Sequence, residues 1–494
     1  MKTRVWAALL CVALCVPLVT QATETITVPM TMMGYDAFSS RSWAHSQFFV
    51  RMEELTGVAF TFQQYADADT YDRAKINALE GLSPLPDVFF KAGLTSQEEQ
   101  RYAEIGALID LAPLLEDHAP NLWALLEANP HWREAITLPN GKIVALPALA
   151  DPADQVCLWI NKAWLDALNL EIPDSPESLR AVLLAFRDDD PNRNGRKDEI
   201  PLYLIGPWEA RWLLPFFGLA PNDYNVYVDE AGMVQFAPFQ PEFAEFLAFL
   251  RDLYQEGLLS PDAFRGAHVL LEQDAPTLEV GGLISMVPTT LLRPEAVHQF
   301  VTVLPSNGLW RNFLGPVTRG TFAITSACPD PAAALGWVDA LYDQQGATLA
   351  AVGKEGIDYE FTGQGKWSPV IHEFRSADSV RADSLMDAAG DPLPGLRPWD
   401  FLMAVDFPLQ HHISEQVQKI AGVARMPIPL RYIPQEGQAE IDALQEVLGA
   451  LVDTGIARFV IGEAPLDAEH LAAFEQELRD AGAERLVELF GGFL

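Results

Sequence analysis

The sequence predicts an α/β protein with more than one lobe. Strand-like and helix-like periodicities alternate through the first hundred residues, as they do where helices cover the faces of a sheet. The 494-residue length exceeds what a single hydrophobic core usually serves. The composition is that of a globular chain, 49% hydrophobic and 20% charged, with Gly and Pro scattered and no internal repeat at 20–50 residues.

The elements follow in order. Ile26, Val28, Met30 and Met32 alternate with polar residues, predicting a first strand over residues 24–32. Residues 43–56 have helical apolar spacing and meet a stop at Gly57. A second strand is expected over 58–62, a helix over 71–80, and a third strand over 87–90 after Pro84 and Pro86. Residues 108–128 read as helix broken by Pro113 and Pro120, and residues 139–142 as a tight turn. Strands over 143–146 and 156–160 flank a loop where the chain is expected to cross to a second lobe. Ser175 and Pro176 open a helix running to about Phe186. Long helices are expected over 239–256 and over 331–344, the second capped by Asp330 and stopped by Gly346. Residues 282–287 and 322–325 read as strands returning to the first lobe. From Glu436 onward the chain reads as helical with a break near 462–466.

The net charge of -35 excludes the basic footprint that nucleic-acid binding requires and disfavours adsorption to anionic membranes. Lys2 and Arg4 followed by the apolar run 5–19 and Thr20-Gln21-Ala22 read as an export signal cleaved after Ala22. Leu10 and Leu14 precede Cys11 and Cys15 where a lipoprotein signal prefers a small residue, so a lipid anchor is not favoured. A soluble protein in the periplasm or outside the cell is therefore expected. Cys157 and Cys328 remain after cleavage, and two cysteines without framework spacing are more often separate thiols than a disulfide.

The strongest local motif is the stretch 188–199. Side-chain oxygens recur at alternate positions, Asp190, Asn192 and Asn194. Gly195 follows where a calcium loop turns sharply, Arg196 where such a loop offers a backbone carbonyl, and Asp198 and Glu199 supply closing carboxylates. Calcium takes six to eight oxygens from flexible loops, so the spacing suits it. Pro201 stands where an EF-hand has its closing Glu, so this is a half-loop and a structural staple is expected, not a sensor. The plain alternative is a solvated acidic turn.

Read through Phe186–Pro201 as F-x-x-x-D-P-N-x-N-G-x-x-D-E-I-P, this stretch resembles one in the bacterial extracellular solute-binding proteins of the family 1 type, in particular the large members that bind oligosaccharides or polysaccharide fragments. Further pieces follow in that family's order: Leu55-Thr56-Gly57-Val58, Leu85-Pro86-Asp87-Val88, Ala119-Pro120-Asn121-Leu122, Asn140-Gly141-Lys142-Ile143, 160–165, 254–259, 328–342 and 457–462. The resemblance implies a two-lobed periplasmic-binding-protein-like fold (type II), with a ligand cleft between lobes, hinge-bending closure and a helical C-terminal region. It implies lobe I over 23–150, lobe II over 151–280, return to lobe I with hinge crossings over 281–400, and a helical part shared between lobes over 401–494. It implies a monomer that carries a carbohydrate to the permease subunits of an ABC importer, with structural Ca2+ held by Asp190, Asn192, Asn194, the Arg196 carbonyl, Asp198 and Glu199. The segment 280–288 lacks the aromatic residue frequent there in the family.

Sugars present C–H faces to aromatic rings and hydroxyls to a few convergent polar groups. Twelve tryptophans leave room for such platforms beyond the core, to which Trp164 and Trp337 are assigned. Candidate ligand-binding residues are Tyr35 and Asp36 after the first strand, Trp208, Arg211 and Trp212 near a helix start, Trp310 and Arg311 in a loop, and Trp399 beside Asp400. Arg293, Arg319 and Arg397 join Arg311 as possible partners for an acidic sugar or, equally, as surface ion pairs. No GxSxG, zinc or Walker-type motif is present, so an enzyme is not expected. A glycan-active hydrolase and a binding protein for a peptide or other polar solute are the alternatives.

Overall fold

The computed structural model describes residues 30–36, 42–150, 155–260, 263–264, 279–286, 288–312, 315–371, 393–406 and 408–494. The export signal, Trp6 and residues 24–29 of the expected first strand lie outside these.

The first sheet has six strands in the order β14-β4-β11-β3-β1-β2. β1 (Met30–Tyr35) runs parallel to β2 (Phe60–Tyr65) and β3 (Val88–Phe90). β11 (Val317–Ile324) is antiparallel to β3 and to β4 (Ala145–Leu149), and β14 (Gly395–Leu396) closes the other edge parallel to β4. Alternation along the strands sends Met30, Met32, Val88 and Phe90 into one core and Met33 and Phe89 into another, so both faces of the sheet are covered. Trp337 fills the first of these cores as expected, and Trp164 lies in the second lobe's core.

The second sheet is β8-β5-β9, with β5 (Cys157–Asn161) antiparallel to both β8 (Gly282–Ser285) and β9 (Phe300–Thr302). The expectation that residues 282–287 return to the first lobe is therefore corrected. Gly282 sits against Trp159 O, where a Cβ would come within 3.1 Å, and β8 stays in the second sheet. The return follows β10 (Trp310–Arg311), which pairs in parallel with β15 (Ala424–Arg425) on the second lobe's core, before the chain enters β11 of the first sheet. A hairpin of β6 (Val226–Val228) and β7 (Val234–Phe236) lies on the second lobe, and one of β12 (Tyr359–Gly363) and β13 (Lys366–Pro369) carries its own small core.

Most helix predictions hold at their ends. Gly57 ends the helix Gln47–Thr56 at φ 73°, and Ser175 accepts a hydrogen bond from Ser178 N (3.2 Å) at the start of Pro176–Asp188. Asp330 caps Pro331–Asp339 by accepting from Ala333 N (3.0 Å), but that helix does not run on to Gly346. A turn at Ala340–Tyr342 intervenes, Asp343 caps a new helix Gln344–Ala351, and Gly346 lies inside it, where a Cβ would stand 1.9 Å from Ala340 O. Gly346 is thus a close-approach glycine and not a stop.

The three last helices, Gln435–Ile461, Ala468–Asp480 and Ala483–Gly492, contribute Ile441, Leu448, Phe474 and Phe490 to the second lobe's core. The segment before them reaches the first lobe, where Tyr432 enters a core. Cys157 and Cys328 are free thiols. Among the described residues no helix is long and apolar enough to cross a membrane.

Candidate functional site

The carboxyl ends of β1 and β2 finish together, with Tyr35 opposite Tyr65 and Gly34 opposite Phe90 of β3. Ligands of open α/β sheets gather at such an edge. A Cβ on Gly34 would fall 2.0 Å from Phe90 O, so only glycine lets the strands end this close. Tyr35 and Tyr65 are half-buried and lean on the ring of Tyr71, at 6.1 and 5.9 Å between centroids. Tyr71 donates to Ala92 O (2.7 Å), and burial pushes its hydroxyl well above the usual tyrosine range. Tyr65 and Tyr71 escaped the sequence reading. The available signal was Tyr65 at the end of a strand parallel to that of Tyr35. Asp36, by contrast, is wholly buried. It accepts from Trp43 Nε1 (3.0 Å), and its amide donates to Tyr65 O (2.8 Å), so its present contacts close the strand end.

In the second lobe the predicted aromatic and basic residues do come together, but inside the protein. Trp212 and Trp310 have no exposed surface and stack at 6.3 Å and 30°. Trp310 Nε1 donates to Val156 O (2.9 Å). The Arg311 guanidinium lies 3.7 Å over Trp212, donates to Pro221 O (2.7 Å) and meets Asp223 at 3.0 Å. Burial lowers the Arg311 pKa to about 10 against the opposing pull of Asp223. Arg211 donates to Asn225 Oδ1 (3.0 Å) and stands 3.6 Å from Asp453.

The expectation of Trp212 and Trp310 as sugar platforms is corrected: neither ring has exposed surface to offer a sugar. The physical reason is local. After the short helix Pro207–Ala210 the chain tightens into a 3-10 turn, Arg211–Phe217, whose residues 211–216 are all buried. Trp208, just outside that turn, keeps partial exposure and meets Trp212 edge-on at 6.0 Å. Trp399 is 7% exposed, with Arg397 4.6 Å over its face, and it starts the short helix Trp399–Met403. Arg319 stacks at 4.0 Å on Tyr432 and donates to Ser96 Oγ (3.2 Å), while Arg293 is exposed on the second lobe.

The 188–199 loop folds around its own oxygens. Asp190 Oδ1 and Asn192 Oδ1 both accept from Asn194 N (3.0 Å each), Asp190 Oδ2 from Gly195 N (3.0 Å), and Asn194 Oδ1 from Arg196 N (2.7 Å). Asn194 Nδ2 donates to Asp198 Oδ1 (2.8 Å). Asp190, Arg193 and Gly195 take positive φ (45°, 57° and 73°), the tight path the spacing predicts. Asp188 is engaged with Arg187 and stays out of this set. Among the described residues no three His, Cys, Asp or Glu side chains converge as a ready metal cage. The donor set is nevertheless all oxygen at its turning points, and Glu199 Oε1 is buried without a partner, an orphan that a hard cation would satisfy. The loop ends at Ile200, which bridges to Val280 at the edge of the second sheet, so anything that fixes it ties the helix Pro176–Asp188 to that edge.

No family model matches the chain. Over 225 residues it is 32% identical to the fructooligosaccharide ABC transporter substrate-binding protein FusA of Streptococcus pneumoniae, a match covering 43% of this chain and 41% of that protein. Among solved structures, a human-milk-oligosaccharide (HMO) binding, ABC-transporter-associated solute-binding protein from Bifidobacterium longum infantis superposes with TM-score 0.75 at 19% identity, covering 94% of this chain and 98% of its own. FusA, solved as an EF-hand mutant in complex with fructo-nystose, gives 0.68 at 19% identity, covering 94% and 98%. The alginate-binding protein AlgQ2, solved without calcium ion, gives 0.64 at 19% identity, covering 96% and 99%. These relatives are named as binding proteins and not as enzymes. Along nearly all of its length, this chain has the two-lobed fold of the extracellular solute-binding proteins that its sequence resembles.

Proposed function

We propose that this chain captures an oligosaccharide between its lobes, outside the cytoplasm, and presents it to the permease subunits of an ABC importer. The observation that carries the reading is the fold match over 94% of the chain to proteins named for binding oligosaccharides. The lobe crossings agree with it: separate cores joined by chain crossings, such as that from β10 to β11, suit capture by closure, in which ligand shifts a balance of open and closed states. Tyr35 and Tyr65 on the first lobe and Trp208 on the second supply half-buried rings for sugar C–H faces. Asp190, Asn192, Asn194, Asp198 and Glu199, with the Arg196 carbonyl, would hold a calcium ion that staples the second lobe and takes no part in sugar contact.

The test is calorimetric titration with kestose, a human-milk tetrasaccharide and an alginate oligomer, followed by recovery of the glycan. Binding of one class with intact recovery supports the reading. Cleavage of the glycan would move it to a hydrolase, and silence toward all three to another solute.

A further inference from the structure

The segment after β15 changes lobes twice. Val228 N of the second lobe donates to Pro427 O (2.8 Å). Six residues on, Gln100 Nε2 of the first lobe donates to Ile433 O (2.9 Å), and Arg431 stands 3.8 Å from Glu134. The helix Gln435–Ile461 then returns to the second lobe's core. Between these ties Tyr432 is buried in the first-lobe core that also holds Phe89 and Tyr102. Its hydroxyl donates to the carboxylate of Glu99, which has no exposed surface, and the Arg319 guanidinium covers the ring at 4.0 Å. Burial raises the Glu99 carboxyl to about 7, against the pull of Tyr432 and Arg319. Under the segment lies a cavity of about 300 Å³, walled by Ser96 and Arg319 of one lobe and Tyr224 and Arg311 of the other.

We propose that residues 427–433 form a strap across the hinge, and that its latch, the Tyr432 hydroxyl on Glu99 beneath Arg319, holds the interlobe arrangement against its alternatives. The proposal rests on the reading that the lobes move about the hinge, but not on what they close upon. A buried hydrogen bond, once lost, changes a two-state ratio by about tenfold.

The test uses the full chain carrying spin labels at Glu116→Cys on the first lobe and Glu245→Cys on the second, in a Cys11→Ser, Cys15→Ser, Cys328→Ser background that leaves only the buried Cys157. Interlobe distances are measured with and without kestose for Tyr432→Phe, which loses only the hydroxyl, and for Tyr432→Ala. A new or enlarged distance population in Tyr432→Phe, larger still in Tyr432→Ala, is expected. Distance distributions of folded Tyr432→Phe that superimpose on those of the background that keeps Tyr432 would overturn the strap, whatever kestose does. Kestose without effect on distances, beside a clear Tyr432→Phe shift, would leave the strap standing and count against the sugar reading alone. Should Tyr432→Ala fail to fold, the Phe variant decides.

Discussion

Two regions of the second lobe drew attention in the sequence for different reasons, and the structure treats them in opposite ways. The 188–199 loop stood out by spacing: oxygens at every other position with a glycine at the turn. Its backbone takes the left-handed steps such a loop needs and keeps most of its donors near solvent. The set Arg211, Trp212, Trp310 and Arg311 stood out by residue type alone, aromatic beside charged. It became a buried strut whose rings and guanidinium stack on one another. Spacing encodes backbone geometry and survives folding, whereas residue type leaves open which way a side chain faces.

The largest way to break this contrast is Trp212→Ala. A wholly buried Trp lost from a core costs about 3–5 kcal/mol, and here it also strips the Arg311 guanidinium of its stacking partner. Urea denaturation should show that loss in the transition of the second lobe. A cost under about 1 kcal/mol, typical of an exposed site, would return Trp212 to the cleft.

Next comes calcium removal. A ligand at 100 to 1,000 times its Kd stabilises by about 3–4 kcal/mol. Chelation should lower the melting temperature accordingly, and Asp198→Ala should make the protein indifferent to chelator. Equal melting of calcium-loaded and demonstrably metal-free protein would reduce the loop to a solvated turn.

Much of the scaffold was legible because caps and stops are local chemistry: Ser175, Asp330, Gly57 and the break at Gly462 all act as read. What failed depends on distant partners. Gly346 looked like a stop until Ala340 O filled the space its Cβ would need. Gly282–Ser285 looked like a returning strand, but strand pairing is chosen by neighbours, and Trp159 and Ile160 of β5 took it. Tyr65 was passed over because its importance lies in register with Tyr35 and not in its own surroundings along the chain. Tyr432 was invisible for a similar reason, since Glu99 lies 333 residues earlier.

That buried pair extends the comparison to a charge. Folding raises the Glu99 carboxyl from its ordinary 4.5 to about 7. The folded state therefore binds this proton more tightly than the unfolded chain. Glu99's contribution is full below pH 4.5 and is lost as pH rises to about 7, a change of ~3 kcal/mol. Glu99→Gln should leave melting at pH 4.5 nearly unchanged and raise it at pH 8. A parallel fall of both proteins between those values would show that Glu99 is not the titrating group.

The smallest expected effect is the most telling about ligand. Trp208→Ala and Tyr35→Ala remove half-buried rings, so their stability cost should stay near 1 kcal/mol, well below that of Trp212→Ala. Burying an apolar side-chain face contributes about 1.5–3 kcal/mol when complete, so losing a half-buried ring from a sugar contact should weaken glycan binding roughly tenfold. The two lobes then separate cleanly: affinity falling with either ring places sugar against both edges of the cleft, as closure requires. Affinity falling only with Tyr35 would leave Trp208 as the outer end of the strut, with the second lobe holding its ligand through polar groups alone.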